Sequence, residues 1–171
     1  MKQLKLFDND PHEQSTKKTE PAHWKLFIDG ASRNNPGPSG AGIYILKDSE
    51  LFQKHGFYLG SKTNNQAEYF ALLLGLFIVK QHMQLHDTIH IISDSQLLVR
   101  QIKGEYRVKN EDLKTLHKFA KHLLHEMHAQ MFHVLRIDNQ EADEMANYGI
   151  DKKVKPPQAF IAMIKQHDVS L

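Results

Sequence analysis

Apolar residues along this chain change their spacing several times, and each change marks a predicted element. Three short runs, at 24–29, 41–47 and 52–59, contain many β-branched and aromatic residues and are separated by turn residues. Such runs are typical of strands that follow one another as an antiparallel meander. From 65 to 82 the chain is apolar on almost every side, which predicts a deeply buried helix.

The second half of the chain alternates strands with helices. A β-branched run at 89–93 predicts a central strand, and 131–137 predicts a final strand. Amphipathic patterns predict helices at 95–103, 110–127 and 139–148. This order predicts an α/β fold, in which a mixed five-stranded sheet of three antiparallel and then parallel strands is flanked by helices.

The pattern also divides the chain into three parts. Residues 1–22 carry charges and two prolines without apolar periodicity, which predicts a disordered or loosely attached leader. Residues 23–150 hold the predicted strands and helices and form one domain. Residues 151–171 are a C-terminal extension with a short helix predicted at 159–166, whose apolar side chains either fold back on the sheet or mediate self-association.

Composition narrows the class of protein. A chain of 171 residues, 40% of them apolar, is long enough for one domain with a real core. The absence of cysteine excludes a disulfide scaffold and agrees with a reducing cytoplasm, which is the predicted location. No secretory signal is visible, and the longest uncharged run, 69–79, is too short to span a bilayer. The net charge of +2 does not identify a partner.

Four carboxylates lie where these elements begin or end. Asp29 and Asp94 each close an apolar strand, Glu68 is at the head of the long helix, and Asp143 is near the start of another. Mg²⁺ prefers oxygen ligands and keeps several waters, so a site for two such ions needs a few carboxylates from separate elements. If the first and fourth strands are parallel neighbours, Asp29 and Asp94 sit side by side.

Each carboxylate also has a purely structural explanation. Asp94 before a helix is a common helix cap. Glu68 in a first helical turn complements the helix dipole, and so does Asp143 if Asn139 caps its helix. Only convergence of the four side chains separates a functional site from these local roles.

The surroundings of the four acids resemble the motifs of type 1 ribonuclease H. The matching segments are 27–32 with 35–38, 63–68, 93–97, and Arg136 with Asn139 and 142–147. They follow in the same order and cover about residues 24–149. The resemblance implies a ribonuclease H-like catalytic domain at 23–150. It also implies an endonuclease that hydrolyses the RNA strand of RNA–DNA hybrids and leaves 5′-phosphate and 3′-hydroxyl ends.

The resemblance also implies a cofactor and a set of substrate contacts. It implies two Mg²⁺ per site, with Mn²⁺ as a substitute, held by Asp29, Glu68, Asp94 and Asp143. RNA is marked by its 2′-hydroxyls, and the polar side chains expected to contact sugars along the minor groove are Asn35, Asn64, Asn65 and Gln66. Thr63 is expected in the pocket for a DNA phosphate. Turn chemistry is the alternative explanation for the asparagines.

Two departures from the family pattern indicate a compact subgroup. Segment 103–110 is too short for the basic protrusion with which some members grip the hybrid. The loop before Asp143 lacks room for a mobile histidine, so Arg136 is the candidate for a phosphate-contacting or product-release role. The expected partner is an RNA–DNA hybrid, without a membrane or an obligatory protein partner, and the expected state is a monomer.

Three other functions remain open at this stage. The same fold and acids can cut double-stranded RNA or an RNA–DNA junction, because both place 2′-hydroxyls near the same groove. A hybrid-binding module that does not cut is a second alternative, which loss of an acid would have favoured. An integrase- or resolvase-type nuclease is a third, and the Asn64–Asn65 pair speaks against it.

Overall fold

The computed structural model describes residues 20–171, and most of the predicted leader, residues 1–19, lies outside that range. Ala22, placed in the leader by its sequence, is buried, and its N–H donates to Asp87. The strands of the described residues are β1 (His23–Ser32), β2 (Gly37–Lys47), β3 (Glu50–Lys62), β4 (Thr88–Ser93) and β5 (Gln130–His133). The helices are α1 (Asn64–Lys80), α2 (Gln96–Ile102), α3 (Glu111–Glu126), α4 (Gln140–Lys152) and α5 (Gln158–Lys165), with a 3₁₀ helix (Arg136–Asn139) before α4.

The strands form one sheet in the order β3-β2-β1-β4-β5. Strand β1 is antiparallel to β2 and parallel to β4, and β5 is parallel to β4. The predicted α/β fold with a mixed five-stranded sheet is therefore confirmed. Strand β1 lies in the centre of the sheet, and the strand pairing is antiparallel on its β2 side and parallel on its β4 side.

Helices cover both faces of the sheet. Helix α1 packs on β1 and β2 with α3 beside it, which explains why α1 is apolar on almost every side. Helix α4 packs on the opposite face against β2 and β3. Its backbone approaches so closely that a Cβ on Gly42 would overlap the carbonyl oxygen of Ala142. This contact fixes the start of α4 over the sheet.

The C-terminal extension folds back on the domain. The side chains of Phe160 and Ile164 in α5 are fully buried, and the Phe160 ring lies 5.6 Å from that of Phe77 in α1. Upstream of α5, the carbonyl of Val154 accepts a hydrogen bond from the N–H of Tyr58 at 2.7 Å. Self-association through this helix stays a prediction.

One predicted strand is shorter than its pattern. Strand β5 ends at His133, whereas the sequence predicted a strand through 137. The N–H of Val134 still bonds to Ser93, but Arg136 then begins the 3₁₀ helix. Within residues 20–171, no helix has the length and hydropathy that a bilayer crossing requires.

Candidate active site

The parallel pairing of β1 and β4 brings two of the four acids together. Ile28 pairs with Ser93, so Asp29 and Asp94 follow on adjacent strands at the same edge of the sheet. The side-by-side arrangement expected from the sequence is present. Ser95, not Asp94, caps helix α2 by accepting the N–H of Leu98, so the capping explanation for Asp94 is wrong.

Glu68 reaches the same edge from α1. Its Oε2 accepts the N–H of Gly30 at 3.2 Å. A Cβ on Gly30 would overlap the backbone nitrogen of Glu68, so only glycine allows β1 and α1 to approach this closely. Thr63 caps α1 and places Glu68 beyond its first turn, which contains no acidic residue. The helix-dipole explanation for Glu68 is therefore wrong.

Asp143 arrives from the other face of the sheet. It lies in the first turn of α4, as its sequence suggested, and one of its oxygens accepts the Arg136 guanidinium at 3.0 Å. The Arg136 side chain is 81% exposed and belongs to the 3₁₀ helix, not to the predicted strand. Arg136 thus presents a cation at the rim of the acidic cluster.

Asn139 has a role that its sequence position did not indicate. It stands at the N-cap position of α4, but its side chain makes no capping hydrogen bond. Its Nδ2 instead donates to the carbonyl of Ile28 and to Asp94 Oδ1, both at 2.9 Å. Asn139 is 2% exposed, and its buried Oδ1 has no hydrogen-bond partner. This side chain ties β1, β4 and α4 together beneath the acids.

The four acids line one open cleft with a volume of about 480 Å³. Arg136 lines the same cleft, so the structure brings together all five side chains predicted to be catalytic. Further residues that the sequence reasoning missed also line it: Gly30, Ala31, Ser32, Arg33 and Asn147. Arg33 forms an ion pair with Asp151 at 2.7 Å. Its position between the two segments of the first motif, 27–32 and 35–38, was the available signal.

The negative charges in the cleft perturb one another. Burial, and then the charges of Asp94 and Asp143, raise the pKa of Asp29 to about 7, against the opposing charge of Arg136. Burial and the charges of Asp29 and Asp94 raise the pKa of Glu68 well above its ordinary value. Without a cation, the cleft therefore holds protons that ordinary carboxyl groups would have lost at neutral pH.

This donor set fits divalent cations. It consists of carboxylate oxygens, the ligands preferred by Mg²⁺, and it has an excess of negative charge that such cations would neutralise. Arg136 and Asn139 each occupy an oxygen of one acid. Among residues 20–171, no three acidic or histidine side chains already stand in a complete metal-binding arrangement.

The residues predicted to contact substrate form hydrogen bonds with one another and with the backbone near the start of α1. Asn64 lines the cleft and accepts the N–H of Ser32, while Asn35 accepts the N–H of Asn64 at 2.9 Å. Thr63 and Gln66 form a reciprocal capping box at the start of α1. Asn65 is exposed beside them. The turn and cap chemistry is thus present, and substrate contact by these residues stays a prediction.

An acidic cleft at the central strands of this sheet defines the ribonuclease H-like class, and comparison with known proteins agrees. The family model described as "Reverse transcriptase-like" matches residues 27–149. Ribonuclease HI of Halobacterium salinarum is 35% identical over 127 residues, which cover 73% of this chain and 63% of that protein. Ribonuclease H of Coxiella burnetii is 33% identical over 145 residues, which cover 76% of this chain and 91% of that protein.

A solved structure extends the likeness to a substrate complex. LC11-RNase H1, isolated from compost by a metagenomic approach, was crystallised with an RNA/DNA hybrid. That structure is 32% identical, has a TM-score of 0.71, and covers 77% of this chain and 97% of its own. The chain belongs to the type 1 ribonuclease H family.

Only eight residues join its α2 to α3, so the described chain has no room there for a basic helical protrusion.

Proposed function

We propose that this chain is a metal-dependent endonuclease that hydrolyses the RNA strand of RNA–DNA hybrids. The observation that carries the proposal is the meeting of Asp29, Glu68, Asp94 and Asp143 in one cleft. Four acids from separate parts of the fold, two of them with raised pKa values, form a site whose negative charge the single cation Arg136 balances only in part. The hybrid bound to LC11-RNase H1 supports the choice of substrate.

Two divalent ions, when bound by the four acids, supply an activated water and stabilise the leaving oxygen of an in-line displacement. The chain's own groups prepare this chemistry. Asn139 orients the carboxylate of Asp94 through its hydrogen bond. Arg136, mostly exposed at the rim, is placed to contact a substrate phosphate and to help release the product. The expected products carry 5′-phosphate and 3′-hydroxyl ends.

We propose that the polar side chains beside the acids distinguish the RNA strand of the hybrid from the DNA strand. Asn64 lines the cleft; its side-chain oxygen accepts the N–H of Ser32 and its backbone N–H donates to Asn35, so both its side chain and its backbone are held before substrate arrives. A preorganised amide can bond to a 2′-hydroxyl, the group that marks RNA. Asn65 and Gln66 follow Asn64 at the start of α1, and we propose that they contact sugars along the minor groove of the hybrid, with Thr63 contacting a DNA phosphate.

The test uses an end-labelled RNA–DNA hybrid incubated with Mg²⁺, with Mn²⁺ or with chelator. We expect internal cuts in the RNA strand alone, only with metal. Asp94→Asn should abolish the cuts, because it replaces a negatively charged carboxylate that would bind the metals with a neutral amide of the same shape. Asp138→Asn is the matched control, since this exposed aspartate lies outside the cleft and should leave cleavage unchanged.

The same assay separates the alternatives. Double-stranded RNA and a chimeric RNA–DNA junction are incubated with the protein beside the hybrid. If either is cleaved faster than the hybrid, that nucleic acid is the preferred substrate. Binding of hybrid without cuts under both metals would instead indicate a binding module. Strong residual cleavage by Asp94→Asn would show that the acids of this cleft are not the reaction centre.

We further infer that the chain acts in the cytoplasm as a monomer that needs no obligatory protein partner. The absence of cysteine agrees with a reducing compartment. In α5, burial of Phe160 and Ile164 within the same chain removes two of the apolar groups suggested for self-association. Light scattering after size exclusion should give the mass of one chain, and a dimer mass would contradict this.

A further inference from the structure

A second cation besides Arg136 lines the cleft of the four acids. Arg33 lies in the loop between β1 and β2, and its side chain is 47% exposed. Its guanidinium reaches α4, where Nη1 forms an ion pair with Asp151 Oδ1 at 2.7 Å and Nη2 donates to Asn147 Oδ1 at 3.5 Å. Both partners lie on one helix, so Arg33 bridges the loop to α4 at one wall of the cleft.

The backbone that carries this side chain is fixed. The N–H of Arg33 donates to the carbonyl of Pro38 at 2.9 Å, and a Cβ on Gly37 would overlap the carbonyl oxygen of Arg33. The N–H of Ser32, one residue earlier, donates to the side chain of Asn64. The guanidinium can therefore change partners while its loop stays in place, so the change costs little backbone ordering.

The present partners of the guanidinium are replaceable. The Asp151 side chain is 56% exposed, and an ion pair between exposed groups is weak because water and salt screen it. The hydrogen bond to Asn147 is at the outer limit of hydrogen-bond length. A phosphate offers a guanidinium two charged oxygens at once, which is a stronger arrangement than either contact. A phosphate that reaches Arg33 should therefore displace Asp151.

The position of the bridge indicates which phosphate can reach it. Asp143, Asn147 and Asp151 follow at intervals of four residues and form one row along α4, which begins at the acid cluster. One helical turn is about 5.4 Å long, so Arg33 contacts this row one to two turns beyond Asp143. Arg33 is therefore placed for a phosphate that neighbours the one bound at the acids.

We propose that Arg33 binds the phosphate next to the scissile one on the RNA strand, and that Asp151 holds its guanidinium until the hybrid arrives. This inference rests on the proposed function. Because the hybrid takes the place of Asp151, that carboxylate competes with the substrate for one cation and lowers the affinity for the hybrid. Arg33 is thus a substrate-binding residue, and Asp151 sets the affinity without contacting the substrate.

The test measures the Kd of a labelled RNA–DNA hybrid by fluorescence anisotropy in Mg²⁺, with every variant built on Asp94→Asn so that the strand is not cut. Arg33→Ala should raise the Kd about tenfold and reduce the slope of log Kd against log salt by about 1. Asp151→Asn should instead lower the Kd about threefold, because it frees Arg33. The two variants break the same ion pair, so a purely structural bridge would weaken binding in both.

A double variant and a control pair locate the effect. With Arg33→Ala already present, adding Asp151→Asn should leave the Kd unchanged, because the freed side chain is gone. Lys80 and Glu126 are a matched ion pair of similar exposure outside the cleft, so Lys80→Ala and Glu126→Gln should each leave the Kd unchanged. Circular dichroism verifies that each variant is folded. Weaker binding by Asp151→Asn, or a Kd that Arg33→Ala does not change, would overturn the proposal.

Cleavage kinetics keep this inference apart from the proposed function. The same variants are made with Asp94 in place, and their KM values should change in the same directions with little change in kcat. RNA cleavage by the parent chain with a KM that does not depend on Arg33 would contradict only the role of Arg33. Absence of both cleavage and hybrid binding would contradict the proposed function and this inference with it.

Discussion

At the scale of single residues, the side chain of Asn139 shows how the cleft is held. An asparagine before a helix usually accepts a backbone N–H, but this one donates to Ile28 and Asp94. Both acceptors lie at the edge of the sheet, so one amide sets the position of an acid relative to the central strand. Loss of this amide should therefore lower both the turnover rate and the free energy of unfolding.

The first prediction concerns this amide. Asn139→Ala should lower the free energy of unfolding by about 1–3 kcal/mol, because a buried donor is lost. It should also slow turnover at least tenfold with little change in KM. Asn110→Ala removes the cap of α3 and should cost about 1 kcal/mol without slowing turnover. Denaturant unfolding and steady-state kinetics measure both; equal turnover in the two variants would reduce Asn139 to a structural role.

The second prediction concerns protons in the cleft. The pKa of Asp29 is raised to about 7, whereas in an unfolded chain this carboxyl loses its proton near about pH 4. Between these values the folded protein binds more protons than the unfolded chain. In chelator, the free energy of unfolding should therefore fall as pH rises through this window.

Thermal unfolding in chelator and in Mg²⁺ measures this effect. Bound cations favour the charged acids, so Mg²⁺ should raise the Tm more at about pH 8 than at about pH 5. Asp29→Asn should flatten the fall in stability, since it removes the titrating group. A Tm increase with Mg²⁺ that is the same at both pH values would contradict the prediction.

At the scale of elements, the close approach of β1 to α1 sets the depth of the cleft. Gly30→Ala should push the start of α1 outward, lower the free energy of unfolding by about 1–3 kcal/mol and reduce turnover, because Glu68 moves with the helix. Gly104→Ala is the matched control. It imposes a left-handed backbone on alanine in open space and should cost about 1 kcal/mol while turnover is kept. Equal turnover would mean that α1 tolerates the shift.

The elements also show where sequence reasoning succeeds. The apolar periods predicted each strand and helix of the domain, and the acids at their ends predicted the cleft. The end of β5 was not predictable, because Leu135 and Ile137 continue the apolar pattern although both are exposed beyond the last strand pair. The role of Asn139 was hidden because its acceptor, Asp94, is 45 residues away in sequence.

At the scale of the whole molecule, the extension beyond residue 149 is part of the folded unit although the family model ends there. Phe160→Ala should lower the free energy of unfolding by about 3–5 kcal/mol, because it leaves a cavity against α1. Half-buried Ile161 provides the control, and Ile161→Ala should cost clearly less. Denaturant unfolding should show one transition for the parent chain, and a separate early transition would mean that α5 unfolds alone.

The exposed connection 103–110 is a place where the chain could be divided into two fragments for protein engineering. A break there divides the cleft unevenly: one fragment holds Asp29, Glu68 and Asp94, and the other holds Asp143. Neither piece carries the full set of acids, and the contacts between them include the β4–β5 pairing, the packing of α1 on α3 and α5, and the packing of α4 on the sheet. Two proteins fused to these pieces would report their proximity by restoring a nuclease, a two-part sensor whose output is a cut strand.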